Sequence, residues 1–325
     1  MVATAQKHRN SRWDRSPVFD AFDNPSAVAL TDRDLEIFRL LSRYRYLPAD
    51  YILALVEGGD RALKRRLGLL SRKPNLFLNR PEQQRAAANA NYRPLIYELD
   101  KRGIEALRDK DTSVPPRKGN HNFAHEVMVC QIMADLEIGA RRNASVRLIR
   151  WPAIQLKLPP ATQRANRPHS IPVTYDVGGV QYRGEVAADW EPFGIEHTSN
   201  GKRHYLFFPG IEADTGTEPV APNDIERSSI HKKYLAYLAI VANDIHRTHF
   251  GFPNFFVPFI TTSATRMRSM MDLLDHLTDG EGSRVFLFKT FPAFASSAKP
   301  PAPSGHMLTE PWSRVGYPAL NFNAM

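Results

Sequence analysis

Cysteine is nearly absent from this chain of 325 residues: Cys130 is the only one. That excludes an intrachain disulfide framework and a cysteine-based zinc site, and it suits a reducing compartment. Long apolar runs are missing too. The longest, Tyr234 to Ala242, is far short of the roughly 20 residues a spanning helix needs. The opening stretch MVATAQKHRNSRWDRS has no apolar core of the kind a secretory signal requires. The expectation is a soluble, cytoplasmic protein with no membrane partner.

Acidic residues are scarce in the first third. Residues 1–120 carry 23 Lys and Arg against 15 Asp and Glu, whereas residues 121–325 carry 20 against 19. A local basic excess attracts polyanions, and double-stranded DNA is the expected partner; the plain alternative is a solvated basic surface.

Composition shifts divide the chain. Residues 1–29 are polar and read as a flexible basic arm, 30–110 as a first domain, and 111–120 (DTSVPPRKGN) as a linker. Residues 121–291 read as a second domain and 292–325 as an irregular Pro-rich tail. In the first domain, LTDRDLEIFRLLSRYRYL opens with Thr31 and Asp34 at capping-box spacing, predicting a helix over about 32–43. A short helix follows Pro48 and closes at Gly58-Gly59.

The segment 59–72, GDRALKRRLGLLSR, keeps Leu63, Leu67 and Leu70 at core spacing. Arg61, Lys64, Arg65, Arg66 and Arg72 decorate the rest, with no acidic residue past Asp60. This is the pattern of a recognition helix in a helix-turn-helix. LFLNR and LIYELD read as two strands around a polar stretch from Pro81 to Pro94, and DKRGIEALRD as a closing helix. The order is that of a winged helix-turn-helix, with the five basic residues as DNA contacts. A basic helix face that is merely solvated, or a winged helix that meets protein, would carry similar residues.

The second domain reads as a helix from His121 ending at Gly139, a strand SVRLIRW and a Pro-rich loop over 159–172. Two strand-like pieces around Asp189 follow, then a strand running to Glu212-Ala213-Asp214 and a long helix at 225–246. The strand FFVPFITT, the helix ATRMRSMMDLLDHL and the strand RVFLFKT complete it. An α/β domain with a central mixed sheet is the expectation. The apolar side of the 225–246 helix is accounted for by core burial, so no oligomeric state is assigned.

Glu212 and Asp214 alternate on a strand and so share a face, where Asp189 can join them around one divalent cation. A hard ion such as Mg²⁺ held by such carboxylates polarises a phosphodiester and activates water. The other reading is turn chemistry, since Asp214-Thr215-Gly216 is an ordinary turn signal.

The succession LTDRD, ALKRRLGLL, HNFAHE, VAADWEPF, IEADTGTEP and HKKYLAY resembles the bacterial replication-relaxation family, over most of residues 30 to 290. The resemblance implies a role in plasmid replication and DNA relaxation, alongside other plasmid replication or mobilisation proteins. It also implies a second domain similar to the restriction-endonuclease-like fold, whose signature is an Asp on one strand and a Glu/Asp-x-Lys on the next. By motif, Asp189 is the first carboxylate and Glu212 the second. Asp214 stands where the lysine belongs, so Lys232 or Lys233 would have to supply the amine. His125 and Glu126 are a further candidate ligand pair. Two functions follow: a DNA-binding protein whose nuclease-like domain is an inactive scaffold, or a metal-dependent endonuclease or nickase acting on plasmid or mobile-element DNA.

Overall fold

The computed structural model describes residues 27–86, 93–110, 114, 122–216, 218–220, 229–291 and 301–323. Residues 1–26 of the expected arm, nearly all of the 111–120 linker and the tip of the 81–94 stretch lie outside them. The described residues form two compact units, those up to Val114 together with 301–302, and the remainder. Together they make a mixed α/β protein.

The first unit begins with α1 (Asp32–Tyr44), whose Thr31 cap and Asp34 side chain satisfy each other's backbone amides as a capping box. Then come β1 (Leu47–Pro48), α2 (Ala49–Leu55), α3 (Asp60–Leu70), β2 (Leu78–Asn79), a 3-10 turn at Glu82–Ala86, β3 (Ile96–Leu99) and α4 (Lys101–Arg108). The three short strands form an antiparallel sheet in the order β1-β3-β2. Sequence reading missed β1, because two residues with a proline carry no alternation. Phe38, Leu41, Tyr51, Ile52, Leu63, Leu67 and Leu70 are wholly buried together. Each aliphatic side chain so buried stabilises the unit by about 2 kcal/mol.

The second unit starts with α5 (Phe123–Arg142), in which every residue from Val127 to Gly139 is buried. The helix does not stop at Gly139. A Cβ there would lie 2.7 Å from Leu308 Cβ and 2.8 Å from Gly305 O, so this glycine serves close packing rather than termination. Next are β4 (Val146–Ile149), α6 (Trp151–Gln155), α7 (Pro160–Gln163), β5 (Ile171–Val177), β6 (Val180–Val186), β7 (Phe193–Ser199), β8 (Lys202–Phe208) and β9 (Glu212–Asp214). After these come α8 (Ile230–Ala242), α9 (Ile245–Phe250), β10 (Val257–Thr261), α10 (Ala264–Leu277), β11 (Phe286–Thr290) and α11 (His306–Thr309).

The expected central mixed sheet is instead three separate ones: parallel β11-β10-β9, antiparallel β4-β7-β8, and the β5-β6 hairpin. The strand expected to run unbroken into Glu212 is two strands in different sheets. Gly210 makes the break, at φ +141°, where a Cβ would meet Ala188 Cβ at 2.7 Å and the Trp190 carbonyl. The long helix expected at 225–246 ends at Ala242, and Asp244 at φ +51° redirects the chain into α9. Part of the expected irregular tail is packed: α11 follows Gly305, and Met307, Leu308, Trp312 and Phe322 are buried.

The core of this unit joins α8 to the parallel sheet. Tyr234 meets the rings of Phe259 and Phe286 edge-on at 4.9 and 5.3 Å. That packing fixes α8 above β9 and thereby brings Lys233 and Tyr237 over Glu212.

Candidate functional sites

In the first unit, α3 buries Leu63, Leu67 and Leu70 and turns Arg61, Lys64 and Arg65 outward, all three exposed. A shallow groove along its first turns is lined by Gly59, Asp60, Arg61, Ala62, Arg65, Arg66 and Leu69. The Asp50 carboxyl is half-buried; burial pushes it up to about 6, opposed by the backbone N–H groups of Tyr51 and Asp50 and then by the charge of Lys64.

Arg66 differs from its neighbours. Its guanidinium donates to Asp34 Oδ1 at 2.9 Å and Oδ2 at 2.6 Å, and to the Ala29 carbonyl at 2.7 Å. Asp34 is wholly buried, yet its pKa is lowered, because Arg66 and Thr31 together outweigh the cost of burial. Arg66 is therefore a tie between α3 and α1. Arg72, beyond the helix, is half-buried and stands close to Arg80, whose pKa is lowered by burial and further by Arg72 and Arg85. The basic surface thus continues from α3 towards β2.

In the second unit, Asp189 sits between β6 and β7. Its backbone N–H donates to Ile211 O at 2.9 Å, and its Oδ2 accepts from Ala213 N at 2.8 Å. The loop is thereby laced to β9. His125, from the first turn of α5, brings Nε2 within 3.2 Å of Asp189 Oδ2 and 2.9 Å of Ala213 O. The Asp189 hydrogen bond raises the His125 pKa. Burial would raise that of Asp189, but His125 and Lys233 hold it down.

Glu212 is nearly inaccessible. Tyr237 donates to its Oε1 at 2.5 Å and Lys233 Nζ lies 2.9 Å from its Oε2. Burial pushes the Glu212 carboxyl up to about 7, with Lys233 opposing that and Asp189 adding to it. Burial alone would lower the Lys233 pKa, but Glu212, Asp189 and Glu218, the last at 3.1 Å, raise it, so this amine stays protonated. Asp189, Glu212 and Lys233 form one cluster.

Asp214 belongs elsewhere. It ends β9 opposite Thr261, whose hydroxyl donates to Oδ2 at 2.8 Å, and faces the first turn of α10, where Arg266 grips both carboxylate oxygens. Its Oδ1 also accepts from Gly216 N at 3.0 Å, as the turn reading expects. Lys232 points away from the cluster, its amine 5.5 Å from the Tyr182 ring centre. Glu126, the neighbour of His125, is half-buried. Among the described residues no group of three or more His, Cys, Asp or Glu is arranged to hold a metal ion.

A family model described as replication-relaxation matches residues 38–254. The chain belongs to the replication-relaxation family. The matched stretch takes in α3, Asp189, Glu212 and Lys233, and stops before Arg266. No curated protein and no solved structure matches the chain. Among the described residues no helix is long and apolar enough to cross a membrane.

Tyr237, Glu218 and Arg266 were not foreseen from the sequence of this family member. Tyr237 had a usable signal, since it lies four residues after Lys233 and so shares its helix face. Arg266 had none, being 52 residues from its partner in sequence.

Proposed function

We infer that this replication-relaxation protein docks duplex DNA through α3 of its first unit, used as the recognition helix of a winged helix-turn-helix. The observation that carries the reading is the outward set of Arg61, Lys64 and Arg65 on a helix whose opposite face is buried leucine. Three helices, the third one basic, are followed by a β2-β3 pair that would form the wing, and Arg72, Arg80 and Arg85 extend positive charge to its base. Membership of a family described by replication and relaxation agrees with DNA as the partner. Phosphate contacts would supply most of the affinity.

The second unit serves this reading as a scaffold that does not cut DNA. What would speak for a nuclease centre is that two carboxylates and a lysine converge, with Lys233 rather than Lys232 as the amine. Mg²⁺ on Asp189, Glu212 and Asp214 does not suit the side chains, because Asp214 is neutralised by Arg266, away from the other two, and both Glu212 oxygens are engaged. His125 already spans Asp189 Oδ2 and Ala213 O. The cluster neutralises itself and ties α5 and α8 to β9.

A mobility-shift titration with duplex DNA at low salt tests the docking helix. Lys64→Ala with Arg65→Ala should weaken binding of every duplex alike if these residues contact phosphates. Unchanged binding would remove α3 from the interface.

A further inference from the structure

Beside the acid–lysine cluster lies a cleft of about 380 Å³, bounded by the β5-β6 hairpin on one side and the first turns of α8 on the other. We propose that this cleft binds an unpaired nucleotide of a DNA strand, its base stacked on Tyr182 and its phosphate held by Lys232. The site is distinct from α3 and independent of it.

Three observations carry the proposal. First, the hairpin presents an aromatic platform. Tyr175 and Tyr182 are directly cross-strand and stack at 5.9 Å with planes 20° apart, both only half-buried. Base stacking on such rings is tolerant of sequence, because every base has a π-face.

Second, a cation lies where a phosphate would fall. Lys232 holds its ammonium 5.5 Å from the Tyr182 ring centre. An ammonium resting over a ring marks an electron-rich face that is open to a partner. On its flexible stem the Lys232 amine can leave the ring to a base and follow the phosphate. Lys233, at the floor of the cleft, is committed to Glu212 and Glu218 and leaves this task to Lys232.

Third, there is room. Gly184 is two residues from Tyr182 on the same strand and opposite Val173, so its missing side chain would stand on the platform's face. A Cβ built there meets nothing within 4 Å. The absent side chain leaves an open slot beside the ring. Duplex DNA, whose bases are stacked on each other, cannot offer one without unstacking. Gly184 and Glu185 are exposed, so a strand can enter and leave along that edge.

The test uses fluorescence anisotropy of a labelled oligo-dT with the full chain at low salt. In the background of Arg61→Ala with Arg65→Ala, oligonucleotide binding should persist. Tyr182→Ala should weaken it about tenfold or more, the scale of one stacked base, while Tyr182→Phe should leave it unchanged. Gly184→Leu, which fills the slot without removing a charge, should weaken it similarly. None of the hairpin variants should alter duplex binding through α3. Absence of saturable oligonucleotide binding would overturn the proposal. So would Tyr182→Ala and Gly184→Leu binding within about twofold of the unmodified chain, or loss of all single-strand binding with the α3 arginines. Competition by free thymidine monophosphate at the same nucleotide concentration would assign the cleft to a free nucleotide and overturn the strand. Loss of duplex binding alone in the α3 variant leaves this site standing, so the two readings fail separately.

Discussion

The Arg66 guanidinium donates to both carboxylate oxygens of Asp34, which is itself wholly buried and closes the capping box of α1. One charge of the basic helix is thereby spent on folding rather than on a ligand. Arg66→Ala leaves Asp34 buried without its counter-charge, and removing one partner of such a pair destabilises by about 3 kcal/mol. Arg61→Ala and Arg65→Ala, on the exposed face, should each change stability by no more than about 0.5 kcal/mol. Urea denaturation of the three variants separates these roles; equal stabilities would show that Arg66 has no structural part.

Lys233 and Lys232 are adjacent but should respond in opposite ways. Lys233→Ala strips the Glu212 carboxyl of its nearest cation at 2.9 Å and should destabilise by about 3 kcal/mol. Lys232→Ala removes only a cation resting on Tyr182 and should be near neutral for stability, within about 1 kcal/mol. Thermal melts of both variants at one pH decide it, and a silent Lys233→Ala would contradict the cluster.

The His125–Asp189 pair gives a pH dependence with a defined sign. His125 has a pKa raised above its ordinary 6.5, so its contribution is complete below that value and is lost as pH rises through the higher folded value. Asp189 has a lowered pKa, so its contribution is lost only in acid, as pH falls below the ordinary 3.8. Stability should therefore decline as pH rises above 6.5 by more in the unmodified chain than in His125→Gln. Parallel melting curves for the two against pH would exclude the pair as a source of stability.

Gly139 predicts a packing defect. Gly139→Ala drives a methyl to within 2.7 Å of Leu308 Cβ, against backbone as well, and should cost about 1–3 kcal/mol despite the better helix propensity of alanine. A stabilised variant in chemical denaturation would mean that α11 does not pack there.

The scaffold reading of the second unit has its own check. Supercoiled DNA incubated with the chain and Mg²⁺ should stay supercoiled. Nicking that disappears in Asp189→Asn and Glu212→Gln would restore the nuclease reading.

The first unit was largely legible because its signals are local. Thr31 with Asp34 and the Leu63-Leu67-Leu70 spacing each act within a turn or two of chain, whereas α2 ends at Leu55, before the expected Gly58-Gly59 stop, and Gly59 instead caps α3. The second unit hid more. Ala-Asp at 213–214 reads as a strand end whether or not Gly210 has broken the strand before it, and a pattern of apolar residues does not reveal which sheet each strand joins. Asp189 and Glu212 were foreseen together, whereas Asp214 was not separable from them by sequence, since its partner Arg266 comes from a distant helix. The choice between Lys232 and Lys233 depended on the rotation of α8, which Tyr234 and Tyr237 set by packing on Phe259 and Phe286.

The most direct test of duplex docking through α3 is a salt titration of binding by the unmodified chain and by Arg61→Ala with Arg65→Ala. Affinity should fall linearly with the logarithm of salt concentration, and the double variant should bind more weakly with a slope smaller by about 2, one for each lost phosphate contact. An unaltered slope and affinity would contradict the docking helix and return Arg61 and Arg65 to the solvated surface.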